Sequence, residues 1–150
     1  MQARMTNPAF TVPGAMDALQ ALGGALRKAG GTLPLELLNL RASQINGCSV
    51  CVDGHARALR KGGESDERLF ALAAWREAPY FTEAERAALA LAEEATRLSD
   101  GGAVSDDVWA DALDHFTEDE LAVLTMSIAA VNLWNRVNAA TRQVAGSWEP

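Results

Sequence analysis

Basic residues are too few in this chain to form a surface for nucleic acid or for an anionic membrane. Thirteen lysines and arginines stand against twenty aspartates and glutamates, which leaves a net charge of −7. A basic patch is the usual electrostatic footprint of both kinds of binding. We therefore expect neither a nucleic-acid partner nor a membrane partner.

Long hydrophobic runs are also missing. The most apolar stretch, residues 121–131, contains Thr125 and Ser127 and is too short to cross a bilayer. The first eight residues lack the apolar centre of a secretory signal. We therefore expect a cytoplasmic protein, in which a Cys-x-x-Cys pair is more often catalytic or metal-binding than a structural disulfide.

Aromatic residues and strand-like alternation are scarce as well. Aromatics make up 6% of the 150 residues, alanine is abundant, and apolar residues recur at helical spacing. Glycine and proline breaks and polar caps predict helices at about 14–28, 33–45, 48–61, 65–78, 82–98, 105–114 and 117–137, with an extended arm at 1–12 and a loose tail at 144–150. The predicted fold is a single all-α domain over residues 1–150, packed as a helical bundle.

The chain has only two cysteines and two histidines, and three of these four residues lie in one stretch. Cys48, Cys51 and His55 are separated by three and then four residues, offsets that place them on one stripe of a helix. His55 is thus placed to take the thiol proton of Cys51. Cys48 lies at the predicted helix N-terminus, where free N–H groups and the helix dipole favour a thiolate. This pattern indicates a redox site that alternates between dithiol and disulfide.

The cysteine pair allows other interpretations. Free cysteine packs as a small hydrophobe, so the pair also fits a helical core. A closed zinc site needs four ligands, and Glu36 or His115 would have to complete it. Val52 follows Cys51, which excludes a c-type haem, and the absence of predicted strands argues against a thioredoxin-like motif. We expect neither a bound metal nor an organic cofactor.

The position of Glu36 allows two interpretations. In the first turn of its predicted helix, a carboxylate is favoured by the helix dipole alone. The helix faces also allow Glu36 to fold back against the next helix and orient His55. Spacing does not choose between these.

Polar and aromatic residues mark the other helices. Three asparagines recur every three residues along the apolar last helix, which predicts buried hydrogen bonding to a neighbouring chain or helix end: Asn132, Asn135 and Asn138. Three tryptophans are assigned to the core or to a subunit interface: Trp75, Trp109 and Trp134. The apolar last helix and these tryptophans together predict a homo-oligomer.

Residues 40–55, Leu-Arg-Ala-Ser-Gln-Ile-Asn-Gly-Cys-Ser-Val-Cys-Val-Asp-Gly-His, resemble the core motif of the carboxymuconolactone decarboxylase superfamily. The resemblance is greatest to its alkylhydroperoxidase D (AhpD) branch. It continues through residues 57–64 and 69–77 and returns at 129–136, so it covers about residues 30–140. It implies an all-α fold and an assembly of small helical subunits as a trimer, dimer or hexamer.

The resemblance also implies a peroxidase site. The glutamate, the two cysteines and the downstream histidine of the family's proton relay match Glu36, Cys48, Cys51 and His55. Cys51 matches the thiol that becomes a sulfenic acid, and Cys48 matches the thiol that resolves it as a disulfide. The family relay has another histidine between the cysteines, where this chain has Val50.

The predicted function is that of a thiol-dependent peroxidase of the alkyl hydroperoxide reductase type. Its substrate is a hydroperoxide, and an external dithiol or a reductant protein restores the cysteine pair. The alternatives are a thiol–disulfide reductase and a non-enzymatic redox-sensing module whose cysteine pair changes its assembly.

Overall fold

The computed structural model describes residues 2–147, and within that range the chain forms helices and turns but no strand. The helices are α1 (Pro8–Thr11), α2 (Ala15–Gly30), α3 (Leu35–Ile45), α4 (Ser49–Lys61), α5 (Asp66–Ala71), α6 (Glu83–Thr96), α7 (Leu98–Gly101), α8 (Asp106–His115) and α9 (Glu118–Thr141), with a 3₁₀ turn at Leu72–Ala74. This confirms the predicted all-α class. None of the helices in the described range has both the length and the apolar character needed to span a bilayer.

Helix α3 lies at the centre of the bundle. It packs against α4, α6 and α9, while α2 lies on α9 and α8 lies on α6. Its leucines are buried on several faces because the helix has neighbours on several sides, and Leu38 is fully buried. The apolar cluster around it also takes in leucines of α6 and α9, such as Leu89 and Leu124.

A buried carboxylate joins α3 and α6. Glu93 accepts hydrogen bonds from Arg41 Nε at 2.7 Å, from Trp75 Nε1 at 2.9 Å and from Arg76 Nη1 at 2.6 Å. Burial opposes ionisation of Glu93, but these hydrogen bonds and the positive charge of Arg41 outweigh it and lower its pKa to about 2. Glu93 is therefore ionised and links α6 to α3 and to the segment that contains Trp75 and Arg76.

Most helix boundaries follow local capping signals. Thr82 and Thr117 each form a complete capping box, with Glu85 and Glu120 three residues on. The helix predicted at about 82–98 was too long: α6 ends at Thr96, and the short helix α7 follows it.

The two ends of the described chain hold the C-terminal end of α9 and the start of α4. Arg4 N donates to Thr141 O at 2.9 Å, and Gln143 Nε2 donates to Met5 O at 3.1 Å. Gly146 N donates to Asp53 Oδ2 at 3.2 Å. The predicted extended arm was wrong at α1, which is helical. Residues 144–147 of the predicted loose tail contain no helix or strand. Residue 1 and residues 148–150 of those two predictions lie outside the described residues.

Candidate active site

A tight turn brings the start of α3 beside the middle of α4. Gly47 has a φ of 65°, a left-handed conformation that glycine adopts without a steric penalty. Cys48 N donates to Ser43 O at 3.1 Å across this turn. The chain therefore reverses direction, and α3 and α4 pack side by side. This hairpin places residues early in α3 against residues one or two turns into α4.

The two cysteines form a disulfide at the start of α4. Cys48 is the N-cap residue and Cys51 lies in the first turn, with their Cα atoms 5.3 Å apart. Both are buried, at 2% and 8% exposed, and with Val50 they form a small cluster separate from the main apolar core. The two cysteines predicted to share one stripe of the helix are therefore bonded to each other. Their cluster is separate from the apolar core around α3.

Glu36 and His55 meet directly. His55 Nδ1 lies 2.7 Å from Glu36 Oε2. The hydrogen bond from His55, aided by the positive charges of His55 and Arg27, lowers the pKa of Glu36 against the opposing effect of burial. An ionised Glu36 can only accept, so Nδ1 carries the proton and the lone pair of a neutral His55 is on Nε2. Of the two interpretations of Glu36, the structure supports the one in which it orients His55.

A cavity of about 140 Å³ lies against this pair. Glu36 and His55 line it together with Arg27, Asn39 and Trp134. Other residues of α2, α3 and α9, most of them apolar, complete its wall, and the cysteines do not line it. The imidazole of His55 therefore lies against a small, partly charged cavity together with its partner Glu36.

The asparagines of α9 hold the turn that precedes Cys48. Asn135 Nδ2 donates to Ser43 Oγ at 3.0 Å. Asn46 Nδ2 donates to the Oδ1 atoms of Asn132 and Asn135 at 2.9 and 2.8 Å. The predicted buried hydrogen bonding of these asparagines is confirmed, with partners on the same chain.

The third asparagine of the series reaches the sulfur itself. Asn138 Nδ2 lies 3.3 Å from Cys51 Sγ, and Asn138 Oδ1 accepts from Asn7 Nδ2 at 2.6 Å. The repeat of three along α9 predicted a buried amide here but not its sulfur partner. For Asn7, the only signal is its position just before Pro8, which is typical of a helix N-cap.

The remaining candidates lie elsewhere or take other roles. His115 ends α8, with Nε2 4.0 Å from Asp111 Oδ1. Within residues 2–147, no three His, Cys, Asp or Glu side chains converge in a way that would hold a metal ion. The tryptophan prediction is confirmed for the buried Trp75, whereas Trp109 is 40% exposed.

Comparison with known proteins identifies the family. The model of the carboxymuconolactone decarboxylase family matches residues 13–94, more than half of the chain. The uncharacterized protein YdfG of Bacillus subtilis is 37% identical over 112 residues, which are 75% of this chain and 76% of that protein. Alkyl hydroperoxide reductase AhpD of Solibacter usitatus is 38% identical over 66 residues, covering 44% of this chain and 36% of that protein.

A solved structure agrees in fold. The Agrobacterium tumefaciens protein ATU0492, described as a protein of unknown function and a candidate antioxidant defence protein AhpD, has a TM-score of 0.90 against this chain. The match has 34% identity and covers 98% of this chain and 100% of that one. These similarities agree with the helical fold and with the Cys-x-x-Cys pair at the start of α4. The chain therefore belongs to the carboxymuconolactone decarboxylase family and is AhpD-like.

Proposed function

We propose that this protein is a thiol-dependent peroxidase in which Cys51 reduces a hydroperoxide. The observation that carries the proposal is the Cys48–Cys51 disulfide at the start of α4, one helical turn before an imidazole that Glu36 orients at 2.7 Å. A general base needs a fixed lone pair near its proton donor, and the Glu36 hydrogen bond leaves that lone pair on Nε2. The AhpD names among the similar proteins support the same chemistry.

The first half of the cycle makes a sulfenic acid. His55 takes the proton of the Cys51 thiol, and the thiolate attacks one peroxide oxygen of the substrate. An S–O bond forms as the O–O bond breaks, and the leaving alkoxide takes a proton to become an alcohol. The product on the protein is Cys51 sulfenic acid, so the sulfur has lost two electrons to the peroxide.

The second half restores the thiols. The Cys48 sulfur attacks the Cys51 sulfenic acid, water leaves, and a disulfide forms. The bond seen between Cys48 and Cys51 corresponds to this oxidised stage. An external dithiol then supplies two electrons and two protons by thiol–disulfide exchange and becomes a disulfide itself. No metal or organic cofactor takes part in this scheme.

Val50 sets the route of the proton. The family relay has a histidine between its cysteines, but Val50 is an apolar side chain that is 7% exposed in this chain. In this chain the thiol proton therefore passes to His55 alone, and Glu36 holds the Nδ1–H of the imidazole and balances its charge.

Hydroperoxide consumption by two single variants tests the proposal. We expect Cys51→Ser to abolish sulfenic acid formation. Cys48→Ser should form a dimedone-reactive sulfenic acid once and then fail to turn over with a dithiol. If Cys51→Ser retained sulfenic acid formation and Cys48→Ser lost it, the roles of the sulfurs would be reversed. Inertness towards peroxides combined with rapid turnover of a disulfide substrate would instead identify a thiol–disulfide reductase.

The homo-oligomer prediction becomes part of this proposal. An apolar hollow of about 480 Å³ between α8 and α9 is rimmed by Trp109, Leu113 and Met126, each at least 40% exposed, which favours a second copy of the chain as its cover. Light scattering in buffers with and without dithiothreitol tests it. A mass of 16.0 kDa under both conditions would refute the oligomer, whereas an assembly that changes with reduction would favour the redox-sensing module.

A further inference from the structure

The side-chain amide of Asn138 faces the sulfur of Cys51. The Asn138 Nδ2 to Cys51 Sγ distance is 3.3 Å, and the two residues are 5% and 8% exposed. Asn138 lies on α9, which packs against both α3 and α4. The NH₂ group of Asn138 is thus a buried hydrogen-bond donor beside the Cys51 sulfur. In the proposed function this sulfur is the nucleophile.

The orientation of this amide is fixed by a chain of hydrogen bonds that begins at a backbone group. Ala9 N–H can only donate, so the atom that it meets at 3.0 Å must be Asn7 Oδ1. Asn7 Nδ2 is then a donor, and its partner at 2.6 Å must be Asn138 Oδ1. The remaining group of Asn138, the NH₂, therefore faces Cys51.

The N-terminal arm holds Asn7 beside Asn138. Asn7 is 3% exposed and caps α1. Arg4 Nη1 donates to Ala140 O at 3.0 Å, next to the backbone contact between Arg4 and Thr141. The arm is thus fastened to the end of α9 at several points, and the Asn7–Asn138 pair lies under it.

An N–H donor aimed at sulfur favours the ionised form of that sulfur. A thiolate is a much stronger acceptor than a thiol or a disulfide sulfur, and a hydrogen bond to a charged group is about twice as strong as a neutral one. The helix dipole favours a thiolate at Cys48, the N-cap residue, as well as at Cys51. The Asn138 amide distinguishes the two sulfurs because it contacts Cys51.

Several charged side chains on the surrounding elements have other partners. They are Glu36 on α3 with His55, Asp53 on α4 with Arg57 and Gly146, Arg136 on α9 with Asn132, and Arg4 of the arm with Ala140. His55 lies on the same helix as Cys51, and in the proposed function it is the base that accepts the thiol proton. The effect of the amide therefore has to be measured with His55 in place.

We propose that Asn138 is a catalytic residue that makes Cys51 the thiolate of the reduced pair, and that Asn7 is the positioning residue that holds its NH₂ towards the sulfur. This inference rests on the proposed function for the role of Cys51. The preference for a Cys51 thiolate is, however, a property of the reduced protein and is measurable without any peroxide.

The test uses the full-length Cys48→Ser protein as parent, so that Cys51 is the one thiol present. The readout is the pH midpoint of the rate of alkylation by iodoacetamide. Asn138→Leu removes the donor at similar volume, and we expect the midpoint to rise by about one pH unit, roughly a tenfold loss of thiolate below it. Thr96→Val removes a buried hydroxyl on α6 that has no contact with either cysteine, so it is the matched control and should leave the midpoint in place.

Asn7→Asp tests the orientation without touching α9. Aspartate still accepts from Ala9 N and still caps α1. It cannot donate to Asn138 Oδ1, so the amide should turn its NH₂ towards the new carboxylate and its oxygen towards Cys51. We expect a midpoint at least as high as in Asn138→Leu, with circular dichroism unchanged. The new carboxylate also repels a Cys51 thiolate, so the decisive outcome in this variant is an unchanged midpoint, which overturns the inference even if Asn138→Leu does not fold.

The outcomes separate this inference from the proposed function. A midpoint in folded Asn138→Leu or Asn7→Asp equal to that of the Cys48→Ser parent overturns the role of Asn138, whatever the peroxidase assay gives. A raised midpoint in a protein that does not react with hydroperoxides overturns the proposed function and leaves the role of Asn138 in thiol acidity standing.

Discussion

Replacing Glu36 with glutamine isolates the charge behind His55. Glu36→Gln keeps an oxygen within reach of His55 Nδ1, so the hydrogen bond at 2.7 Å can persist, but the acceptor becomes neutral. The imidazolium that forms when His55 takes the thiol proton then loses its counter-charge. The second-order rate of thiol oxidation at neutral pH should therefore fall.

The size of the fall follows from the geometry. A hydrogen bond to a charged partner contributes about 1.5–3 kcal/mol and a neutral one about 0.5–1.5 kcal/mol. The middles of the two ranges differ by about 1.2 kcal/mol, or roughly eightfold in rate. The Glu36 side chain is 40% exposed, so solvent screens part of its charge. We expect a reduction of about fivefold.

The assay is stopped-flow oxidation of the reduced protein by an excess of hydroperoxide. Glu64→Gln is the matched control, because Glu64 lines a neighbouring cavity with Glu36 but pairs with Arg68 instead of a histidine. Its rate should stay within about twofold of wild type, a span of about 0.4 kcal/mol. A wild-type rate in Glu36→Gln, or an equal loss in Glu64→Gln, would refute the role of the Glu36 charge in stabilising the His55 imidazolium.

Two further predictions concern stability. Glu93→Gln should lower the free energy of unfolding at pH 7 by about 3 kcal/mol. The folded pKa of about 2 lies below the ordinary 4.5, so this stabilisation is complete above pH 4.5 and is lost as the pH falls towards 2. Urea unfolding checks it, and an equal difference between variant and wild type at pH 7 and pH 3 would contradict it. Val50→His should cost about 1–3 kcal/mol because it puts an imidazole at a buried apolar site; an unchanged melting temperature would show that the position can host the family's histidine.

The local parts of the site could be predicted from the sequence. The start of α4 follows from Gly47, and the alignment of Cys48, Cys51 and His55 follows from helical periodicity. The capping box at Thr117 fixes the start of α9 in the same way. Each of these rests on residues within a turn or two of one another, where backbone hydrogen bonding decides the geometry.

The contacts between helices could not be derived in this way. Asn138 and Cys51 are 87 residues apart, and Asn7 and Asn138 are 131 apart. Helical spacing placed Asn138 on a face of α9, but its partner depends on how α9 packs on α4 and on where the N-terminal arm runs. Glu36 lay between two interpretations for the same reason, because only the packing of α3 on α4 determines which residue it meets.

The most direct test of the central claim is the intact mass of the reduced protein after one equivalent of hydroperoxide. We predict that wild type loses about 2 Da, the two hydrogens of a new Cys48–Cys51 disulfide, and that Cys48→Ser gains about 16 Da, the oxygen of a Cys51 sulfenic acid. Cys51→Ser should keep its mass. An unchanged wild-type mass, or an oxygen added to Cys51→Ser in place of Cys48→Ser, would contradict the claim that Cys51 is the sulfur that reduces the peroxide.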